Sequence, residues 1–62
     1  MTLQEYNALC KQAFKAHEDK TKSLVAGFPA QYGAKELLKR IYENNHWLNR
    51  EIATLNQRFL DS

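Results

Sequence analysis

The sequence has 62 residues, a mass of 7.3 kDa and a net charge of +2, from nine Lys and Arg against seven Asp and Glu. This length allows a single domain over residues 1–62, and so small a charge excess is not typical of a nucleic-acid binder. The single cysteine, Cys10, excludes an internal disulfide. Because a chain this small buries only about 60% of the surface that it exposes when unfolded, we expect it to need a metal, unusually good helix packing or a partner chain.

Membrane and export signals are absent from the sequence pattern. The longest uninterrupted apolar run is Leu24–Ala26, far short of the roughly 20 residues that span a bilayer. No basic segment followed by an apolar stretch opens the chain, so we predict no signal peptide. A free thiol without an export signal favours the cytoplasm.

The first arm is predicted to be a helix over about residues 2–26. Thr2 and Glu5 have the spacing of a capping box, which satisfies two free backbone N–H groups. Apolar residues then recur at helical steps of three and four: Leu3, Tyr6, Leu9, Cys10, Ala13, Phe14, Leu24 and Val25. Gly27 is the expected C-cap. An alternative is a break near Asp19, which would then cap a second, short helix.

The turn and the second arm follow from equally local signals. Both glycines and the only proline lie within residues 27–33, which predicts the turn. A second helix is predicted over about residues 34–60. Its seam positions alternate steps of four and three, as in a heptad repeat: Ala34, Leu38, Ile41, Asn45, Leu48, Ile52, Leu55 and Phe59.

The two stripes match when the arms are folded back on each other. The turn position pairs residues whose numbers sum to 62, so that Phe14 lies opposite Leu48 and most layers are apolar on both sides. In the middle layer His17 faces Asn45, which predicts a buried polar layer that fixes the register. A titrating histidine switch is the alternative interpretation. We therefore predict an all-α, two-helix antiparallel hairpin that dimerises into a four-helix bundle.

The beginning of the chain resembles a known family of hairpin proteins. Residues 1–5, Ala8-Leu9 and Phe14 are similar to the first helix of the small plasmid-encoded proteins of the Rop type. The resemblance covers about 14 residues and implies a hairpin that dimerises as a four-helix bundle; members of that family bind paired RNA loops. RNA binding is not transferred to this chain, because only Phe14 fits the family's RNA-binding face. Other residue types occupy the rest of it: Leu3, Cys10, Glu18 and Val25.

Catalysis and metal binding find little support. A two-helix hairpin offers no cleft of useful size, so we predict no enzyme, no cofactor and no small-molecule substrate. Cys10 and His17 lie about 10 Å apart along one helix face, too far for a single zinc ion. No paired Cys or His motif accompanies them. Cys10 is interpreted as a small buried hydrophobe.

Lysine stripes raise nucleic-acid binding as an alternative function. The candidate residues are Lys11, Lys15 and Lys22 on the first helix and Lys35 and Lys39 on the second. Acidic residues interrupt both stripes, notably Glu18, Asp19 and Glu36. This mixture favours a solubilising surface over a phosphate-binding one.

A second candidate surface lies outside the seam of the second arm. Tyr42, His46, Trp47 and Arg50 are neighbours at steps of three and four, and they are of residue types that are common in binding hot spots. We predict that these residues bind a partner protein, or alternatively that they form the homodimer contact. The expected function is that of a small, non-enzymatic, protein-binding regulator, inhibitor or adaptor, of the kind that phages and plasmids encode.

Overall fold

The computed structural model describes residues 1–61 and shows two helices, α1 (Leu3–Gly27) and α2 (Ala34–Asp61), joined by a short turn. The helices pack against each other as an antiparallel hairpin of 45 × 15 × 8 Å. The predicted all-α hairpin is confirmed, and each helix boundary lies within one residue of its predicted position. In the described part of the chain, neither helix contains an apolar stretch of the length that a bilayer crossing requires.

The start of α1 forms the predicted capping box. The Glu5 N–H donates to the Thr2 hydroxyl over 3.1 Å, and the Thr2 N–H donates to a Glu5 carboxylate oxygen over 3.2 Å. These hydrogen bonds hold the pKa of Glu5 below its ordinary value, because both the backbone N–H and the hydroxyl of Thr2 stabilise the charged carboxylate. The cap therefore favours an ionised Glu5.

The alternative of a helix break near Asp19 is wrong, since α1 is continuous. Two ion pairs at i,i+4 span this polar stretch: Lys15 with Asp19 over 3.1 Å, and Glu18 with Lys22 over 3.0 Å. Such pairs favour the helical backbone only modestly, because they are exposed to solvent. Each one raises the pKa of its lysine, because the neighbouring carboxylate stabilises the ammonium.

The predicted role of Gly27 as C-cap is also wrong. Gly27 is the last residue of α1, and Phe28 caps the helix in an extended conformation, its N–H donating to the Val25 carbonyl over 3.1 Å. Gly27 does not adopt a positive φ. Its lack of a side chain matters for packing instead, because a Cβ at this position would lie 2.9 Å from the Tyr32 hydroxyl. That hydroxyl donates to the Leu24 carbonyl.

The turn is held by its aromatic residue. The Tyr32 hydroxyl bonds back to α1, and the Arg40 guanidinium lies 4.5 Å from the centre of the Tyr32 ring. Arg40 also donates to Glu36 over 3.0 Å and thereby holds the pKa of that carboxyl below its ordinary value. The Phe28–Pro29 peptide bond is cis. Tyr32 thus belongs to the turn and not to an open binding surface.

The core of a single hairpin is small. Of the hydrophobic residues within 1–61, only Ala13, Leu24 and Leu55 are buried. The predicted register is confirmed, because a hydrogen bond joins His17 to Asn45, whose residue numbers sum to 62.

The surface of α2 that contacts α1 is rotated about the helix axis relative to the predicted seam. Leu37 and Asn44 are half-buried, whereas their seam neighbours Leu38 and Asn45 are exposed. The physical reason is that one partner helix covers only part of the broad apolar sector of α2. The helix turns its Asn44 side toward α1, where that side chain finds hydrogen-bond partners.

Candidate interaction surfaces

A polar cluster joins the two helices near their midpoints. The Nε2–H of His17 donates to the Oδ1 of Asn45 over 2.6 Å, since an amide oxygen can only accept. The side-chain amide of Asn44 donates to the His17 carbonyl and to the Thr21 hydroxyl, each over 3.1 Å. The Thr21 hydroxyl donates to the same His17 carbonyl over 2.9 Å. These four residues are called the central polar cluster below.

The structure brings His17 and Asn45 together but places the pair at the edge of the helix contact. His17 is half-buried and Asn45 is exposed in the single hairpin, so the layer is not enclosed by the two helices. Asn44, which the sequence reasoning did not single out, makes the more enclosed contacts. The sequence signal for Asn44 is its position next to the seam residue Asn45, because the apolar sector of α2 is wider than the seam.

A second link between the helices lies nearer the chain termini. The Tyr6 hydroxyl donates to the Oδ1 of Asn56, and the Tyr6 ring packs 4.9 Å, centre to centre, from Phe59. The pKa of the Tyr6 phenol is raised above its ordinary value, first by the neighbouring Cys10 thiol and then by desolvation. Cys10 itself is half-buried. These contacts and the central polar cluster lie on the same side of the hairpin, because Asn45 and Asn56 are 11 residues apart, close to three helical turns.

This side of the hairpin is free of charged residues. On α1 it carries a stripe at steps of seven and four: Leu3, Cys10, Phe14, Thr21 and Val25. On α2 the stripe contains Leu38, Tyr42, Asn45, Asn49, Ile52, Asn56 and Leu60. None of the chain's nine basic and seven acidic residues occupies either stripe, and Glu18, paired with Lys22, lies at the border. These two stripes are called the uncharged face.

Large apolar side chains on the uncharged face are open to solvent. Phe14 is 54% exposed, Val25 53%, Leu38 67% and Tyr42 71%. Phe14 and Leu38 were predicted to lie in the intrachain seam, and that prediction is wrong because the helices contact each other through a neighbouring sector. Clustered exposed side chains of this size are typical of interaction surfaces.

The opposite side of the hairpin carries a groove around Trp47. Two adjoining hollows share Ala16 and Trp47, with volumes of about 650 Å³ and about 280 Å³. Ala13, Leu24 and Leu55 contribute its apolar floor. Its rim is charged with both signs: Lys20, Glu36, Lys39, Arg40, Glu43, Glu51 and Arg58. The hairpin therefore has two flanks of opposite character.

The predicted partner-binding residues are distributed over different surfaces. The rings of Tyr42 and His46 stack with centres 6.3 Å apart and planes within 3°. Trp47 is half-buried and lines the groove, while Arg50 is exposed and lines neither hollow. The structure thus joins the first two residues and directs Trp47 to the other flank.

The five lysines proposed for nucleic acid lie on two separate edges. From the helical period, the three lysines of α1 and the two of α2 point away from the helix contact on opposite sides of the hairpin. Lys15 and Lys22 are engaged in ion pairs with carboxylates. The stripes therefore do not merge into one basic surface.

No group of three or more His, Cys, Asp or Glu side chains suited to a metal ion occurs within residues 1–61. Comparisons with protein-family models, with curated proteins and with solved structures find no match to this chain.

Proposed function

We propose that this protein is a small, non-enzymatic regulator, inhibitor or adaptor that acts by binding another protein, and that it does so as a helical homo-oligomer, a four-helix bundle of two hairpins. The observation that carries the proposal is the surface that one hairpin leaves open, which includes several large apolar side chains. Its accessible surface is 4810 Å², whereas a compact monomer of this mass exposes about 4,200 Å². Association covers such an excess.

The two flanks of the hairpin allow self-association and partner binding at the same time. A bundle needs one flank of each hairpin, and the other flank stays available to a partner. The groove with Trp47 combines an aromatic anchor, an apolar floor and a rim of both charge signs, which is the composition of many protein-binding sites. Its hollows are open to solvent and hold no constellation of nucleophile and base that would indicate catalysis.

The experiment has two parts. Sedimentation equilibrium at micromolar concentration is expected to show a dimer or a larger species, and a stable monomer would contradict the proposal. Cross-linking in an extract of the native host, followed by mass spectrometry, is then run with the wild-type chain, with the double variant Trp47→Ala/Arg50→Ala and with a matched surface variant, Lys11→Ala/Lys15→Ala. The proposal is supported if a partner is lost only with Trp47→Ala/Arg50→Ala and that variant still forms the oligomer.

Nucleic-acid binding by Lys11, Lys15, Lys22, Lys35 and Lys39 is the competing proposal. The separation of these residues on two edges and the pairing of Lys15 and Lys22 weaken it. Affinity for DNA and RNA measured across a range of salt concentrations separates the two proposals. Binding through phosphates must weaken steeply as salt rises, whereas binding through apolar side chains does not.

A further inference from the structure

The uncharged face has the dimensions of a protein interface. The hairpin is 45 Å long and 15 Å wide, so one flank offers about 700 Å², close to the roughly 800 Å² that each partner buries in an interface of standard size. Its exposed apolar residues are spread along the whole length of the hairpin, from Leu3 at one end to Leu38 near the other. A partner that covers this face must itself be long and uncharged.

The chain contains such a partner, namely its own uncharged face. Two copies that meet through this face bring few charged side chains together: the charged residue at its border is Glu18, which forms an ion pair with Lys22 of its own chain. Burying charges at an interface is costly unless each one is paired. A face without charges avoids that cost only against a partner that also lacks them, which favours a second copy over an ordinary charged protein surface.

The ends and the centre of each stripe are placed symmetrically, whereas the inner positions 10, 21, 45 and 52 are not. On α1, Leu3 and Val25 lie 11 residues on either side of Phe14. On α2, Leu38 and Leu60 lie 11 residues on either side of Asn49.

The centres of the two stripes lie in the same layer of the hairpin. The residue numbers of pairs in contact across the hairpin sum to 62 for His17 with Asn45 and to 65 for Tyr6 with Phe59. The numbers of Phe14 and Asn49 sum to 63, which lies within this range. A two-fold axis through this layer therefore sets like residues against like.

We propose that the uncharged face is the contact surface of a homodimer in which two hairpins lie face to face with their turns at opposite ends. The two-fold axis passes through the layer that contains Phe14 and Asn49. Phe14 then packs against the same residue of the second copy, Leu3 against Val25, and Leu38 against Leu60. This arrangement encloses the central polar cluster and leaves the Trp47 groove open. The inference rests on the self-association in the proposed function and adds the face and the direction of packing.

Paired lysine substitutions test the face. Phe14→Lys places two like charges beside the axis and is expected to weaken dimerisation by about 100-fold or more. Because Phe14 is more than half exposed in the single hairpin, the substitution does not remove core packing. Thr54→Lys, at an exposed position on the opposite flank of α2, is the matched control and is expected to leave the dimer unchanged. Sedimentation equilibrium measures both variants.

Disulfide trapping tests the direction of packing and does not depend on the stability of the lysine variant. In a Cys10→Ser background, Phe14→Cys is expected to form a covalent dimer under mild oxidation, since its Cβ atoms face each other across the axis. Leu3→Cys alone is not expected to cross-link, whereas a mixture of Leu3→Cys and Val25→Cys chains is.

The outcomes separate this inference from the proposed function. A wild-type monomer contradicts both. A dimer that survives Phe14→Lys and fails to cross-link through position 14 overturns the inference but leaves self-association standing. A dimer that dissociates with Phe14→Lys and yet does not cross-link through Phe14→Cys has its turns at the same end, which overturns the antiparallel arrangement.

Discussion

Asn44 connects the helices more firmly than its neighbour in the heptad seam. Its amide donates to a backbone carbonyl and to a hydroxyl on α1, and the side chain is half-buried. Asn45 accepts one hydrogen bond from His17 and remains exposed. A polar group that loses its partner away from water costs more free energy than one at the surface, where water replaces the partner.

Asn44→Ala is therefore expected to lower the free energy of unfolding by about 1–3 kcal/mol, and Asn45→Ala by less than about 1 kcal/mol. The loss at position 44 leaves the Thr21 hydroxyl and the His17 carbonyl with fewer partners. Urea unfolding of both variants in the Phe14→Lys background, where the hairpin is expected to be monomeric and Asn45 stays exposed, measures the difference. Equal effects at the two positions would show that enclosure of the amide does not matter.

The junction of α1 with the turn depends on close packing of Gly27 against Tyr32. An added Cβ would lie 2.9 Å from the Tyr32 hydroxyl and 3.1 Å from a ring carbon. The hydroxyl cannot move away without releasing the Leu24 carbonyl. At an ordinary helical position, alanine is favoured over glycine by about 1 kcal/mol. A loss of stability when Gly27 is replaced by alanine would therefore report the contact with Tyr32.

Gly27→Ala is expected to destabilise the hairpin by about 1–3 kcal/mol, despite the higher helix propensity of alanine. Gly33→Ala is the control, since no atom lies within 4 Å of a Cβ at that position, and it should change stability by less than about 0.5 kcal/mol. In a Tyr32→Phe background the cost of Gly27→Ala should fall by about 1 kcal/mol or more. An unchanged cost in that background would mean that the hydroxyl is not the obstacle.

The capping box makes the start of α1 sensitive to acid. The pKa of Glu5 is lowered in the folded chain, so its contribution to stability is complete above its ordinary pKa of 4.5 and is lost as the pH falls through the lowered value. Thermal unfolding followed by circular dichroism from about pH 6 to about pH 3 should show this loss. Glu5→Gln keeps a capping side chain without a charge, so its stability should depend less on pH. Identical profiles would exclude a role for the ionised carboxylate.

Local signals were sufficient to predict the helices, the turn and the pairing of His17 with Asn45, because caps, breakers and residue periodicity act within a few residues. The rotation of α2 about its axis could not be predicted in the same way. Pairs of adjacent residues such as Leu37 and Leu38, or Trp47 and Leu48, give α2 an apolar sector wider than one partner helix can cover. Which half faces α1 depends on contacts across the hairpin, such as those of Asn44.

At the scale of the whole molecule, the same excess of apolar sequence links folding to association. The single hairpin buries three hydrophobic residues among those described and exposes many more. Fixing the backbone of one residue costs about 1–2 kcal/mol of conformational entropy, and a core of this size offsets little of that cost. In the proposed dimer, the second copy that covers the uncharged face would supply the missing burial. The hairpin should thus gain most of its stability in the step that forms the bundle.

The temperature of unfolding should accordingly rise with protein concentration, since binding between folded chains stabilises them by mass action. Circular dichroism melts over a roughly 100-fold range of concentration are expected to shift upward by several degrees for the wild-type chain. Phe14→Lys should melt at a lower temperature that does not depend on concentration, whereas Thr54→Lys should follow the wild type. A midpoint for the wild-type chain that is the same at every concentration would show that one hairpin is stable alone, and that the open apolar surface serves only to bind other proteins.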